Sequence, residues 1–180
     1  MKTNFIEQQV MTSLEQAFIH KIERHKGIIF KISKMYMSDK DDQDDLFQEI
    51  TCQLWKAYPN FRGESEFSTW LYRIALNTAI IFLKTEKRRS FITNNENLSH
   101  HFIPQEDYDN EREERMVEMY TAIQLLNPID KAFIFYYLED FSGKQIADQM
   151  GISEGNARVK MNRAKNKLKD ILNQHNPNQY

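Results

Sequence analysis

Between residues 158 and 169 the chain carries Arg158, Lys160, Arg163, Lys165, Lys167 and Lys169 with no acid among them. Cations at this density suit phosphate oxygens, which attract them whatever the base sequence. Base edges call instead for amides and forked cations, and Asn156 and Arg158 open the same run. A second basic group, Lys84, Lys87, Arg88 and Arg89, is opposed only by Glu86. Reactive chemistry is thin by comparison. Cys52 is the only cysteine, so no internal disulfide can form, and a reducing cytoplasm suits the chain. His20 and His25 are poorly spaced for one helical face, and His100-His101 has no Cys or acid partner at ligand spacing. There is no Ser-His-Asp or Cys-His arrangement, glycine-rich phosphate loop or zinc pattern. Neither catalysis nor a metal or other cofactor is expected.

The elements that must position the first basic group are written locally. Ser142-Gly143-Lys144-Gln145 has the form of a capping box, with Ser142 and Gln145 satisfying free N–H groups at a helix start. Ile146, Ala147 and Met150 give that short helix an apolar face, and Gly151 stands where a helix ends in a left-handed residue. Ile152 fills the corner and Ser153 suits the N-cap of a second helix. Along it Ala157, Met161, Ala164, Leu168 and Ile171 recur at three- and four-residue steps, which predicts one buried stripe. A capped helix, a glycine turn and a basic second helix have the form that enters a DNA major groove. The expected DNA-facing residues are Ser153, Glu154, Asn156, Arg158, Lys160 and Arg163, while Lys165, Lys167 and Lys169 add general attraction. Asn156 either reads an adenine edge or caps the helix.

Across all 180 residues, five Gly and four Pro among abundant Leu, Ile, Met, Lys and Glu predict an all-α chain. No run approaches the roughly 18 apolar residues of a membrane span, and the amino terminus lacks the apolar stretch of a signal peptide. The net charge of −2 hides strong local fields. Residues 39–49 hold six acids against Lys40, and residues 106–118 hold seven against Arg112 and Arg115. Residues 144–169 hold seven bases against Asp148 and Glu154. Screening beyond about 8–10 Å makes such local fields count for more than the total. They suggest two DNA-facing surfaces and one acidic surface for another partner.

Leu14, Phe18, Ile22, Ile29, Ile32 and Tyr36 mark a helix or helix pair. Leu46, Phe47, Ile50, Leu54, Trp55 and Tyr58 mark a second helix that Pro59 ends. A third, over about residues 66–89, has Phe67, Trp70, Leu71, Ile74, Ile81 and Phe82 as its expected core side. Residues 91–112 read as a flexible polar linker. Beyond it come Met116, Met119, Tyr120, Ile123 and Leu126, then Asn127-Pro128 as N-cap and first helical residue. Phe133, Ile134, Tyr137 and Leu138 follow as that helix's expected core. The fold class is therefore two small helical domains, residues 1–90 and 113–180, joined by the linker.

The stretch Asp42-Gln43-Asp44-Asp45-Leu46-Phe47-Gln48-Glu49, then Leu54-Trp55, then Phe61-Arg62-Gly63-Glu64-Ser65-Glu66-Phe67-Ser68-Thr69-Trp70-Leu71-Tyr72-Arg73-Ile74-Ala75-Leu76-Asn77-Thr78-Ala79, resembles region two of a bacterial sigma factor. The match is to the small extracytoplasmic-function (ECF) class, which keeps only regions two and four. Residues 116–172, with the helix-turn-helix, resemble region four. The resemblance implies a subunit that binds core RNA polymerase, brings it to promoters and opens the duplex near the start site. It implies contacts from Asp45, Leu46, Gln48 and Glu49 to the clamp helices of the largest polymerase subunit, and from region four to the flap of the second-largest. It implies that Phe61 and Asn77 form a pocket for an unpaired base, with Phe67, Tyr72, Arg73, Lys84, Lys87, Arg88 and Arg89 as further contacts to start-proximal DNA. Read from residue type alone, Asn77 could equally bridge helices, and Phe61 could simply close its loop. An anti-sigma protein, often membrane-bound in this class, is a further expected partner.

The family often has Thr-Val-Lys-Ser-Arg where this chain has Asn156-Ala157-Arg158-Val159-Lys160, so the upstream sequence read by relatives does not transfer. Two other readings compete. Asp41-Asp42-Gln43-Asp44-Asp45 is superficially similar to the Mg²⁺ motifs of all-α prenyl-transferring enzymes, but no second carboxylate cluster is positioned to complete such a site. A free-standing helix-turn-helix regulator needs nothing like residues 61–89, a loop and helix suited to unpaired DNA.

Overall fold

The computed structural model describes residues 2–92 and 110–175, with side chains described over 13–86 and 115–174. Among the described residues the elements are α1 (Lys2–Tyr36), α2 (Lys40–Ala57), a 3-10 turn (Tyr58–Asn60), α3 (Phe67–Ile92), α4 (Asn110–Gln124), α5 (Pro128–Leu138), α6 (Gly143–Met150) and α7 (Glu154–His175), with no strand. The first apolar stretch is one helix, not a pair. Gly27 sits within it, and its cost of roughly 1 kcal/mol is offset by burial of Ile22, Ile29 and Ile32 on either side.

Helix boundaries follow the local chemistry. Asp39 caps α2, its carboxylate accepting from the backbone N–H of Asp41 at 2.8 Å and of Asp42 at 3.4 Å. Proline in the next turn tightens the chain out of α2. Asn127 caps α5, accepting from the N–H of Ile129 and Asp130, with Pro128 at the first helical position. Most of the expected linker, residues 93–109 with His100-His101, lies outside the described residues; residues 110–112 already belong to α4.

Helices α1, α2 and α3 enclose Ile29, Ile32, Leu46, Ile50, Leu54 and Leu71, while α4 to α7 enclose Ile123, Phe133, Ile134, Ala157 and Ala164. The two helical blocks share one continuous core. Helix α5 explains how: its residues 130–136 are all buried, because α7 covers one side and α1 and α3 the other. Polar ties run along the same seam. The Tyr36 hydroxyl donates to the Pro128 carbonyl at 2.7 Å, and the Gln124 amide donates to the Lys34 and Met37 carbonyls at 3.2 Å each. Tyr72 Oη donates to Glu139 at 2.7 Å, and Lys31 pairs with the same carboxylate at 3.0 Å. Burial, then the neighbouring Tyr136, holds the Tyr36 phenol well above its ordinary pKa.

This seam changes the expected core. Ile81 is 64 % exposed, whereas Tyr72, Ala75, Leu76 and Ala79 are buried. Helix α3 is apolar on several sides, and the sides that meet neighbouring helices win. Trp55, Tyr137 and Leu138, also expected inside, are exposed at 37 %, 49 % and 43 %. None of the described helices is long and apolar enough to cross a membrane.

Candidate nucleic-acid interface

The helix-turn-helix forms as its local signals require. Ser142 Oγ accepts from the Gln145 N–H at 3.3 Å while Gln145 Oε1 accepts from the Ser142 N–H at 2.8 Å, which closes the capping box. Gly151 adopts φ 65°, ψ 37°, and the N–H of Ile152 reaches back to the Ala147 carbonyl at 3.0 Å. That left-handed step turns the chain into α7, whose first turn is capped by Ser153 Oγ accepting from the Asn156 N–H at 3.3 Å. Ala157, Met161 and Ala164 bury one stripe of α7. Glu154, Asn156, Arg158 and Arg163 are left exposed, and Lys160 is half-buried. Ser153 is exposed as well, although its hydroxyl serves the cap.

Two residues on this face escaped the charge-based reading: Val159, 47 % exposed, and Asn162, also exposed. Both lie within a turn of Arg158 and Arg163. Helical spacing from Arg158 was the signal that could have found them. An exposed valine offers an apolar contact of the kind a thymine methyl accepts.

The second surface is α3 with the loop before it. Phe61 belongs to an aromatic cluster, its ring centroid 5.0 Å from Trp70, 5.6 Å from Phe67 and 6.4 Å from Tyr58. Phe61 and Trp70 keep part of their surface in solvent, while Phe67 is buried. Arg73, Asn77 and Lys84 are exposed and, at four- and seven-residue steps, share a helical face with half-buried Trp70. Asn77 makes no described side-chain bridge to another helix, so its amide is presented outward. The side chains of Lys87, Arg88 and Arg89 lie outside the described residues, although their backbone continues α3. Tyr72 departs from expectation. It is 7 % exposed, its ring packs against Phe135 at 5.6 Å and Phe141 at 5.2 Å, and its hydroxyl is taken by Glu139. With α5 seated on it, Tyr72 is a packing residue, as Phe67 is within the aromatic cluster.

The acidic surface is an open cavity of about 550 Å³ between α2 and α3, lined among others by Asp42, Asp45, Gln48, Glu49 and Glu86. Asp45 and Gln48 are exposed and Glu49 half-buried, whereas Leu46 is fully buried in the core and unavailable to a partner here. Partial burial, then Asp39, Glu86, Asp45 and Asp41, raises the pKa of Asp42. Within the same acidic stretch Lys40 pairs with Asp44. A separate apolar groove of about 340 Å³ runs between α5 and α7, lined by Ile134, Tyr137, Leu138, Leu168 and Leu172 and edged by Lys165 and Lys169. Nothing in the sequence pattern separated these residues from core positions.

Comparison with known proteins finds likeness in both helical blocks. Residues 22–89 match the family described as Sigma-70 region 2, and residues 116–168 match Sigma-70, region 4. The RNA polymerase sigma factor SigZ of Bacillus subtilis is 29% identical over 139 residues, which span 76% of each chain. The ECF RNA polymerase sigma-E factor of Haemophilus influenzae is 27% identical over 175 residues, or 92% of each chain. In fold the chain is similar to the sigma factor RpoE of Bartonella quintana, solved in complex with the anti-sigma factor NepR. That likeness has a TM-score of 0.66 at 18% identity and covers 87% of this chain and 97% of that one. With the region-two match falling on the α1–α3 bundle and the region-four match on α4 to α7, the chain belongs to the extracytoplasmic-function class of bacterial sigma factors.

Proposed function

We propose that this sigma factor binds core RNA polymerase, carries it to promoters and holds the unpaired strand as the duplex opens. Residues 1–90 would serve core binding and the start-proximal element, residues 113–180 the upstream element, and residues 91–112 would join them. The observation that carries this reading is the pairing of two kinds of surface in one chain. An exposed cationic helix-turn-helix suits duplex DNA, and a face of Arg73, Asn77 and Lys84 beside a half-open aromatic cluster suits unpaired DNA. Unstacking a base costs a few kcal/mol, which aromatic stacking and an edge-reading amide offset. Asp45, Gln48 and Glu49 would meet a basic helix of the polymerase clamp, and the groove between α5 and α7 would take an apolar segment of the flap. An anti-sigma protein would compete for those same surfaces. The work is done in the cytoplasm and needs no catalytic group.

Reconstituted transcription tests the reading. Purified protein, core polymerase from the same organism and fragmented genomic DNA should yield discrete new 5′ ends that share upstream and start-proximal elements. Absence of both new starts and a complex with active core would instead favour a free-standing regulator. Asn77→Ala should reduce promoter opening, read by permanganate reactivity of unpaired thymines, while leaving core binding nearly intact. Equal loss of both would remove the base-pocket role. Arg158→Ala with Lys160→Ala should weaken upstream binding across a salt series.

A further inference from the structure

Helix α1 contributes no residue to the DNA surfaces described above, yet it borders the aromatic cluster. Lys21 Nζ lies 5.1 Å from the centroid of Phe67 and 6.0 Å from that of Phe61. One turn further on, His25 packs its ring 5.2 Å from Phe67 and donates from Nδ1 to the Lys21 carbonyl at 2.8 Å, which fixes the backbone beneath Lys21. Arg24, on the adjacent turn position, is exposed, as is Arg62, the residue after Phe61. The ion pairs of this region engage Lys26 and Lys31, and none of the described pairs includes Lys21, Arg24 or Arg62. Lys21 thus borders a half-open aromatic cluster, with Arg24 three residues along α1 and Arg62 next to Phe61 both exposed, and none of the three is in a described ion pair.

We infer that Lys21 and Arg24 of α1, with Arg62, hold the phosphate backbone of the unpaired strand at the Phe61 end of its path. The inference rests on the initiation reading and adds α1 to the strand-binding surface. The physical argument is one of connectivity. A base stacked on the exposed part of Phe61 or Trp70 brings its own phosphate to the rim of the cluster. The loop's remaining charges there, Glu64 and Glu66, are both exposed and repel a phosphate, so the cations able to meet it come from α1 and Arg62. Asn77 lies seven residues beyond Trp70, about 10 Å along the helix and on nearly the same side. A strand running from the α1 rim past Trp70 to Asn77 therefore has cations at its start, with Arg73 and Lys84 further on.

The test uses the holoenzyme of full-length protein and core polymerase. Its probe is a fluorescent single-stranded oligonucleotide carrying the start-proximal sequence recovered from mapped transcripts. Anisotropy titrations between about 50 and 200 mM salt give the slope of log K against log salt, which is close to −0.7 per neutralised phosphate for single strands. Lys21→Gln should reduce that slope by about 0.7 and Lys21→Gln with Arg24→Gln by about twice as much, while Lys21→Arg keeps the wild-type slope. A role confined to packing against Phe61 and Phe67 would lower affinity equally at every salt; an unchanged slope in Lys21→Gln overturns the inference. Arg62→Gln, on an exposed loop residue, provides the same reading if Lys21→Gln does not fold. Wild-type holoenzyme that transcribes yet ignores the oligonucleotide would overturn the α1 strand path alone. Wild-type protein that neither binds core nor transcribes would overturn the initiation reading beneath it.

Discussion

The helix-turn-helix and the α3 surface both present cations and amides to solvent, but they reach that state differently. In the helix-turn-helix each orientation is set within a few residues: a capping box, one left-handed glycine and a second cap turn α7 so that its alanine stripe faces inward. In α3 the orientation is set from far away. Tyr72 is buried because Phe135 on α5 arrives from more than fifty residues along the chain, and Leu76, one turn on, is buried too. One of the two proposed DNA surfaces is thus built on local geometry and the other on a seam between blocks, so the second should be the more sensitive to change elsewhere.

That difference can be broken most severely at Phe135. Phe135→Ala leaves a cavity under Tyr72 and should cost about 3–5 kcal/mol in denaturant unfolding. Hydrogen exchange should then quicken in α3 at Leu76 as well as in α5; protection lost from α5 alone would mean that the first block stands independently. Tyr72→Phe is gentler. It removes the hydroxyl donated to Glu139 and should cost about 1.5 kcal/mol with the ring packing kept. Burial first, then the hydrogen bond and charge of Glu139, raise the Tyr72 phenol well above its usual pKa. A phenol raised in this way stabilises the fold fully below its ordinary value near 10 and loses that contribution as pH rises through the raised one. Wild type should therefore weaken above pH ~10 more steeply than Tyr72→Phe, as followed by thermal melts across pH. Parallel curves would detach Tyr72 from the seam's alkaline response.

The helix-turn-helix offers the local counterpart. Gly151→Ala meets no crowding but must hold φ 65°, so it should cost about 1–2 kcal/mol through backbone strain. Ser142→Ala opens the capping box and should cost about 1 kcal/mol. Both should leave exchange rates in α3 near those of wild type, and coupled changes there would erase the contrast between the two surfaces.

Much of the chain was legible because its punctuation is local. Asn127-Pro128, Ser142 with Gln145, Gly151 and Ser153 each satisfy or terminate backbone hydrogen bonds within four residues, and each acts as its type and position suggest. Exposed Arg158 and buried Ala157 likewise follow from helical period. Positions flanked by apolar residues on several sides were not legible. Ile81 fits the expected core stripe and Tyr72 the expected DNA side, and only the approach of α5 decides that Tyr72 is covered and Ile81 is not. Asp45 and Leu46, adjacent in sequence, divide between an open acidic cavity and the core because α2 turns one residue outward and the next inward. The sequence by itself determined the helices, their caps, the helix-turn-helix and the family. The tertiary structure decided which aromatic faces remain open, that α1 brings Lys21 to Phe61, and that the two blocks share a core, because burial depends on neighbours that periodicity within one helix cannot encode.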